Sequence, residues 1–269
     1  MNKRNQLVNG YSVCFVQNDT NLDSNKITLV FVHGNSSSKT AFSKQLEDPR
    51  LSEKYNLIAI DLPGHGESEH IPEAEHDTSI YTVPFYAETV NTFLKEKNIE
   101  NVIAVGHSLG AHVTTRLSKL RPLKGLINIQ NTPINTPADV AGALSQDQSF
   151  QQLFNPDVTD MGIQSLAKKF FATKAPDYFY EDFRKSDPKC RKNLVHSLVN
   201  GIILDEIEYL KNIKIPFKLI IGIKDSFTNY DYVAALDLGN KVEYLETDHY
   251  PMLDKNGDTF FKIFQTLNE

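Results

Sequence analysis

The 269-residue chain has no tryptophan, two cysteines and fewer basic than acidic side chains, 28 Lys and Arg against 34 Asp and Glu. Two cysteines, Cys14 and Cys190, make no disulfide framework, and Cys14 lies in an apolar strand-like run where a buried thiol is expected. A formal net charge of -6 is wrong for a dedicated nucleic-acid binder, which needs a basic face, so no nucleic-acid partner is expected. No apolar run approaches the ~18 residues of a membrane span, and the basic start MNKRNQLVNGYSVCF lacks the apolar core of a signal peptide. The expectation is a soluble, cytoplasmic protein with no membrane partner. The histidines and cysteines show neither His-x-x-x-His nor Cys-x-x-Cys spacing, so no metal site is expected. Without a G-x-G-x-x-G after a strand or a G-x-x-x-x-G-K-[ST], no nucleotide site is indicated, and no cofactor is expected. Nothing in the sequence sets the oligomeric state.

What is present is an alternation. LVNGYSVCFVQN places an Asn-Gly turn signal between two strand-like runs and predicts an opening hairpin. ITLVFVHG (27–34), YNLIAIDLPGHG (55–66), NVIAVGHS (101–108) and GLINIQNTP (125–133) are short β-branched runs, apolar on both faces, as buried parallel strands require. Tyr86, Val90, Phe93 and Leu94 paint one face of a helix, with Pro84 tolerable in its first turn; residues 109–120 predict another. The rhythm breaks over residues 134–213, which hold no good strand run but many helix formers and aromatics, among them Phe150, Phe154, Phe170, Phe171, Tyr178, Phe179, Tyr180 and Phe183. It resumes at IPFKLIIGIKD (215–225) and KVEYLETDHYP (241–251), then a last helix with Phe260, Phe264 and Leu267 on one face. The fold class is therefore α/β: a mostly parallel sheet flanked by helices, built from residues 1–133 and 214–269, with a mainly helical insertion at 134–213.

Gly106-His107-Ser108-Leu109-Gly110 fits G-x-S-x-G between a strand run and a helix run. A strand that reverses sharply into a helix leaves no room for side chains at 106 and 110, and it raises the hydroxyl of Ser108 above the sheet edge. It also leaves the Leu109 amide near a helix N-terminus, where an anion is welcome. Ser108 is the candidate nucleophile. A glycine-rich loop without chemistry is the plain alternative.

At these residues the chain resembles the α/β-hydrolase fold superfamily, over nearly its full length. FVHGNSSS (31–38) resembles the family's oxyanion segment, AIDLPGHGES (59–68) its next loop, GIKDS (222–226) the segment supplying an acid, and DHYPM (248–252) the segment supplying the histidine. The resemblance implies a triad of Ser108, Asp225 and His249, an oxyanion hole from the amides of Asn35 and Leu109, elbow glycines Gly106 and Gly110, and a helical cap at 134–213. Asp248 stands where many relatives have glycine. Asp205, Asp231 and Asp237 are alternatives for the acid.

Among the other histidines, His107 is expected to point away from the serine, His112 to lie against the sheet or solvent, and His33 to brace its loop. His65, His70, His76 and His196 are expected on the surface or in loops. Asp61 and the turn 63–66 are read as structural. The cap aromatics are expected mostly to form the cap's own core, with the remainder lining an apolar pocket. The activity implied is a serine hydrolase, an esterase or lactonase acting through an acyl-enzyme on a small, moderately hydrophobic ester or lactone. HGNSSS, with NTP (131–133) leading into the cap, resembles more narrowly the N-acyl-homoserine lactone hydrolases of this fold, and carbon–carbon bond hydrolysis of a diketone or a ligand sensor that retains the triad are the alternatives. Serine at 108 argues against dehalogenases and epoxide hydrolases, whose nucleophile is aspartate.

Overall fold

Asn9 and Gly10 both take positive φ, 52° and 88°, the mirror-image turn whose twist matches the strands of a two-residue hairpin. They join β1 (Asn2–Val8) to β2 (Tyr11–Gln17) in the computed structural model, which describes residues 2–19, 21–202, 205–253 and 257–267. Six further strands follow: β3 (Thr28–Val32), β4 (Asn56–Ile60), β5 (Val102–His107), β6 (Gly125–Ile129), β7 (Phe217–Gly222) and β8 (Val242–Leu245). They make one sheet in the order β1-β2-β4-β3-β5-β6-β7-β8. β1, β2 and β4 pair antiparallel, and every pairing from β4 to β8 is parallel. Every residue of β3, β4, β5 and β6 is buried, which is why those runs are apolar on both faces.

Alternation along β3 shows the two layers. Val30 and Val32 pack into one core, with Ile58, Tyr86, Val90 and Phe93, while Leu29 and Phe31 pack into the other, with Phe42, Ile103, Ile127 and Phe264. The helices that cover these faces are α1 (Ser43–Glu47), α2 (Pro49–Lys54), α3 (Val83–Glu96), α4 (Leu109–Leu120), α10 (Tyr230–Ala235) and α11 (Gly257–Thr266), and the remaining described α-helices fall between β6 and β7. α3 begins where Thr82 accepts a hydrogen bond from the Phe85 amide, with Pro84 in its first turn, and its apolar stripe Tyr86, Val90, Phe93 and Leu94 is fully buried. Cys14 is fully buried in β2, and burial pushes its thiol up to about 11.

The segment between β6 and β7 folds as α5 (Pro137–Ala143), α6 (Asp160–Phe170), α7 (Asp177–Lys185), α8 (Pro188–Val199) and α9 (Glu206–Asn212), with a 3-10 turn at Gln148–Leu153. Its one strand-like contact among the described residues is a bridge between Leu144 and Thr228. Phe150, Phe170, Phe171, Phe179 and Phe183 are buried in the same cluster as Phe227, Tyr250 and Met252, so these aromatics weld the segment to the sheet's C-terminal edge as well as to each other. Among the described residues no helix is long and apolar enough to cross a membrane.

Candidate active site

β5 ends at His107 and α4 begins at Leu109, so the whole reversal falls on Ser108. Its backbone is held at φ 51° and ψ -118°, a strained conformation for a non-glycine residue. Steric crowding makes the glycines obligatory. A Cβ on Gly106 would stand 2.3 Å from the Gly110 carbonyl oxygen, and one on Gly110 would stand 2.1 Å from the Val32 carbonyl oxygen. The turn is anchored by the Ser108 amide, which donates to the Ile129 carbonyl at 2.9 Å. Ser108 is partly exposed and lines a narrow, mostly apolar cavity of about 60 Å³.

Asp225 and His249, supplied by the loops after β7 and β8, are joined directly: His249 Nδ1 donates to Asp225 Oδ2 at 2.7 Å. Asp225 also accepts from Gln130 Nε2 at 2.8 Å and from the amides of Phe227 (2.9 Å) and Thr228 (3.1 Å). Burial pushes this carboxyl's pKa up, but the adjacent His249 and the converging donors outweigh burial, and the net shift is downward. Gln130 is a residue the sequence did not single out. It sits at φ 51° just past β6, where its Oε1 accepts from the Gly222 amide at 2.7 Å, so it ties the acid loop to its strand. Asp205, Asp231 and Asp237 make no described hydrogen bond to His249.

The elbow reaches the histidine loop through its neighbour: His107 Nε2 donates to the His249 carbonyl at 2.9 Å, with the two rings 5.2 Å apart. Among the described residues no hydrogen bond joins the Ser108 hydroxyl to the His249 ring, an interaction that is commonly long until substrate is bound. His107 is turned into the fold, and burial pushes its pKa down to about 3. His249 is itself boxed in by aromatic rings. Phe170 stacks on it at 4.3 Å, and Phe227 meets it edge-on at 5.6 Å.

The loop after β3 carries Asn35 to within reach of the elbow, since a Cβ on Gly34 would lie 3.2 Å from Ser108 Cβ. Among the described residues nothing accepts a hydrogen bond from the Asn35 or Leu109 amide. The helical segment grips this loop at three places. Asn35 Nδ2 donates to the Leu153 carbonyl (3.0 Å), Arg191 Nη1 donates to Ser36 Oγ (3.1 Å), and Ser38 Oγ donates to Asp182 Oδ2 (2.6 Å). Burial raises the Asp182 carboxyl to about 6, against the hydrogen bond from Ser38. Neither Asp182 nor Arg191 carries a motif, and neither was legible beforehand.

Three expectations about the remaining side chains need correction or detail. His65 lies in a loop, one of its two expected places, but is fully buried there, because the rings of His33 (5.1 Å) and Tyr86 (5.9 Å) close around it. His112 is partly exposed and lines the Ser108 cavity, with Nδ1 bonded to Glu206. His33 braces its loop, donating from Nδ1 to the Gly34 carbonyl (2.7 Å) and accepting from the Leu62 amide (3.0 Å) at Nε2. His70, His76 and His196 are exposed. Cys14, Asp61 and Glu67 come close enough together to ligate a cation, but a protein cation already sits there: Lys39 Nζ is 2.6 Å from Asp61 and 2.9 Å from Glu67. Asp61 is fully buried and also accepts from the Lys39 and Glu67 amides, which fixes the turn at 61–67.

Residues 29–263 match the alpha/beta hydrolase family. The uncharacterized hydrolase YugF of Bacillus subtilis (strain 168) is 37% identical over 95 residues, 35% of this chain and 32% of that protein. The chain spans 39% and 22% of the length of two other curated relatives. In structure it is similar to the N-acyl homoserine lactonase AidH complexed with N-butanoyl homoserine (TM-score 0.88, 18% identity, covering 100% of this chain and 97% of that one). It is similar also to the esterase RhEst1 from Rhodococcus sp. ECU1013 (TM-score 0.75, 19% identity, covering 100% and 99%). With a sheet of this order and a family match over most of its length, the chain belongs to the alpha/beta hydrolase family.

Proposed function

We propose that the protein is a serine hydrolase that cleaves small, moderately hydrophobic carboxylic esters or lactones through an acyl-enzyme. The observation that carries this reading is the 2.7 Å bond between His249 Nδ1 and Asp225 at the sheet edge where Ser108 tops its strained turn. A serine hydroxyl is a poor nucleophile at neutral pH until a base takes its proton. With Nδ1 committed to Asp225, Nε2 of His249 is the basic nitrogen, and the carboxylate holds that tautomer and stabilises the imidazolium once formed. Ser108 Oγ attacks the carbonyl carbon, and the charge that develops on the carbonyl oxygen is met by the Asn35 and Leu109 amides. Fixed donors of this kind contribute roughly 3 kcal/mol each. The imidazolium then protonates the leaving alcohol oxygen, and water activated by His249 cleaves the acyl-enzyme. The helical segment 134–213 serves as the cap that walls the cavity, with Leu153, Phe154, Leu194 and Leu198 supplying apolar surface for an acyl chain or ring.

A lactone fits as well as an open ester, since both present the same carbonyl, and the structural likeness to a homoserine lactonase supports testing it. The experiment is hydrolysis of p-nitrophenyl esters of graded acyl length and of N-acyl-homoserine lactones by the native chain and by Ser108→Ala. The reading expects turnover that falls on the order of 10⁴-fold or more in the variant while the fold persists. Equal rates for both proteins overturn the nucleophile, and no turnover of any ester or lactone overturns the activity. Lactone rates far above ester rates select the lactonase.

A further inference from the structure

The wall of the Ser108 cavity carries a second histidine–carboxylate pair. His112 lies in the first turn of α4, four residues beyond Ser108, and both residues line the same cavity. His112 Nδ1 lies 2.8 and 2.9 Å from the two carboxylate oxygens of Glu206. Glu206 is fully buried at the start of α9, and its Oε2 also accepts from the Ile134 amide at 3.1 Å. Nδ1 is thus engaged by the carboxylate, and the other ring nitrogen is left over. Among the described residues nothing bonds to Nε2, and the His112 side chain keeps 18% exposure where it lines the cavity.

The cavity wall is mostly apolar, with Val83, Ile134, Leu194 and Leu198 among its residues, and Thr132 and Ser197 also line it. A buried carboxylate and an imidazole are costly insertions into such a wall, and one ring nitrogen is left without a protein partner. We infer that His112, positioned by Glu206, is a specificity residue that hydrogen-bonds through Nε2 to an amide, hydroxyl or keto group that the substrate carries away from the bond being cleaved. The inference rests on the ester- or lactone-cleaving reading of the same cavity and narrows it to amphiphilic substrates, an apolar chain interrupted by one hydrogen-bonding group. A pocket built to hydrogen-bond a substrate discriminates strongly against the analogue that lacks the group, because its own polar atom is then stranded.

The test uses pairs matched in chain length that differ by that group alone: α-heptyl-γ-butyrolactone against α-hexanoylamino-γ-butyrolactone, and p-nitrophenyl hexanoate against p-nitrophenyl 3-hydroxyhexanoate. In the native chain the polar member of at least one pair has the higher kcat/KM. In His112→Leu that ratio falls about tenfold or more, through KM, while His112→Gln, which still offers a hydrogen bond, keeps part of it. Should leucine prevent folding, His112→Ala is read the same way. A pair that merely ties α9 to α4 lowers both members by one factor and leaves each ratio where it was; unchanged ratios in both pairs overturn the inference. Dissociation constants for the same four compounds, measured in Ser108→Ala with and without His112→Leu, need no turnover. They decide the role of His112 even if the native chain hydrolyses none of them, a result that would strike the proposed activity instead.

Discussion

The ring of Phe170 lies nearly parallel to that of His249, 4.3 Å between centroids and 19° between planes. The His249 amide also donates to the Phe170 carbonyl at 3.3 Å, so the last residue of α6 holds the histidine by both face and backbone. Without this plate the imidazole loses the contact that packs closest on its face and is held less firmly against Asp225. Phe170→Ala is expected to lower kcat about tenfold or more with a smaller change in KM, since positioning losses fall on the chemical step. Steady-state kinetics on a p-nitrophenyl ester check this, and a loss confined to KM would assign Phe170 to substrate contact instead.

Gln130 holds Asp225 as Phe170 holds His249. Gln130→Leu removes the donor to Asp225 Oδ2 and the acceptor for the Gly222 amide. The expected outcome is a kcat loss of about tenfold and a drop of ~1–3 kcal/mol in stability, from the buried amide left without its partner. Gln130→Glu keeps the acceptor but places a second carboxylate beside Asp225, and it is expected to cost more activity than leucine. Kinetics paired with urea denaturation separates the two effects.

Gly110 marks the limit of what the elbow tolerates. A methyl there would meet the Val32 carbonyl oxygen at 2.1 Å, and that oxygen belongs to a fully buried strand that cannot move aside. Gly110→Ala is expected to cost ~3 kcal/mol or more, read from the urea midpoint, because overpacking against backbone displaces β3 from α4. Gly239→Ala, where nothing lies within 4 Å but φ is +61°, is the control, expected to cost ~1 kcal/mol from backbone strain alone.

Acid is expected to unfold the protein in a defined window. Burial lowers His33 to about 4, and His65 and His107 each to about 3, from an ordinary 6.5. The unfolded chain therefore binds protons at these sites that the folded chain refuses, so stability is complete above pH 6.5 and is lost as pH falls toward 3. Asp182 acts in the opposite sense. Its carboxyl is raised to about 6, so its burial penalty is present above pH 6 and relieved below the ordinary carboxylate value. Three histidines outweigh one carboxyl, and the net slope is expected to be downward on acidification. Urea midpoints at pH 7, 6, 5 and 4 test this; a constant midpoint would contradict the burial of the imidazoles.

Local sterics and order along the chain make part of this protein legible without coordinates. The apolar strand runs fix a parallel sheet, because only strands covered on both faces can afford to be apolar throughout. Gly106 and Gly110 announce the elbow by their spacing around Ser108: a Cβ on Gly106 would strike Gly110 within the same turn, although the Val32 carbonyl that bars one on Gly110 comes from distant β3. What escaped, apart from the residues that the family resemblance implied, was what long-range contact holds in place. Gln130 meets Asp225 across 95 residues, Arg191 meets Ser36 across 155, and Glu206 meets His112 across 94. None of these pairs has a spacing to read. His65 sits among glycines and charges that suggest a surface loop, and only the packing of His33 and Tyr86 around it shows otherwise. The sequence alone determined the strands, the turn and the chemistry of the side chains at their ends, because backbone sterics and periodic burial act over a few residues. The tertiary structure decided which rings and carboxylates those side chains lean on, because desolvation and hydrogen-bond partnership depend on what the folded chain brings near, and distance along the sequence carries no record of that.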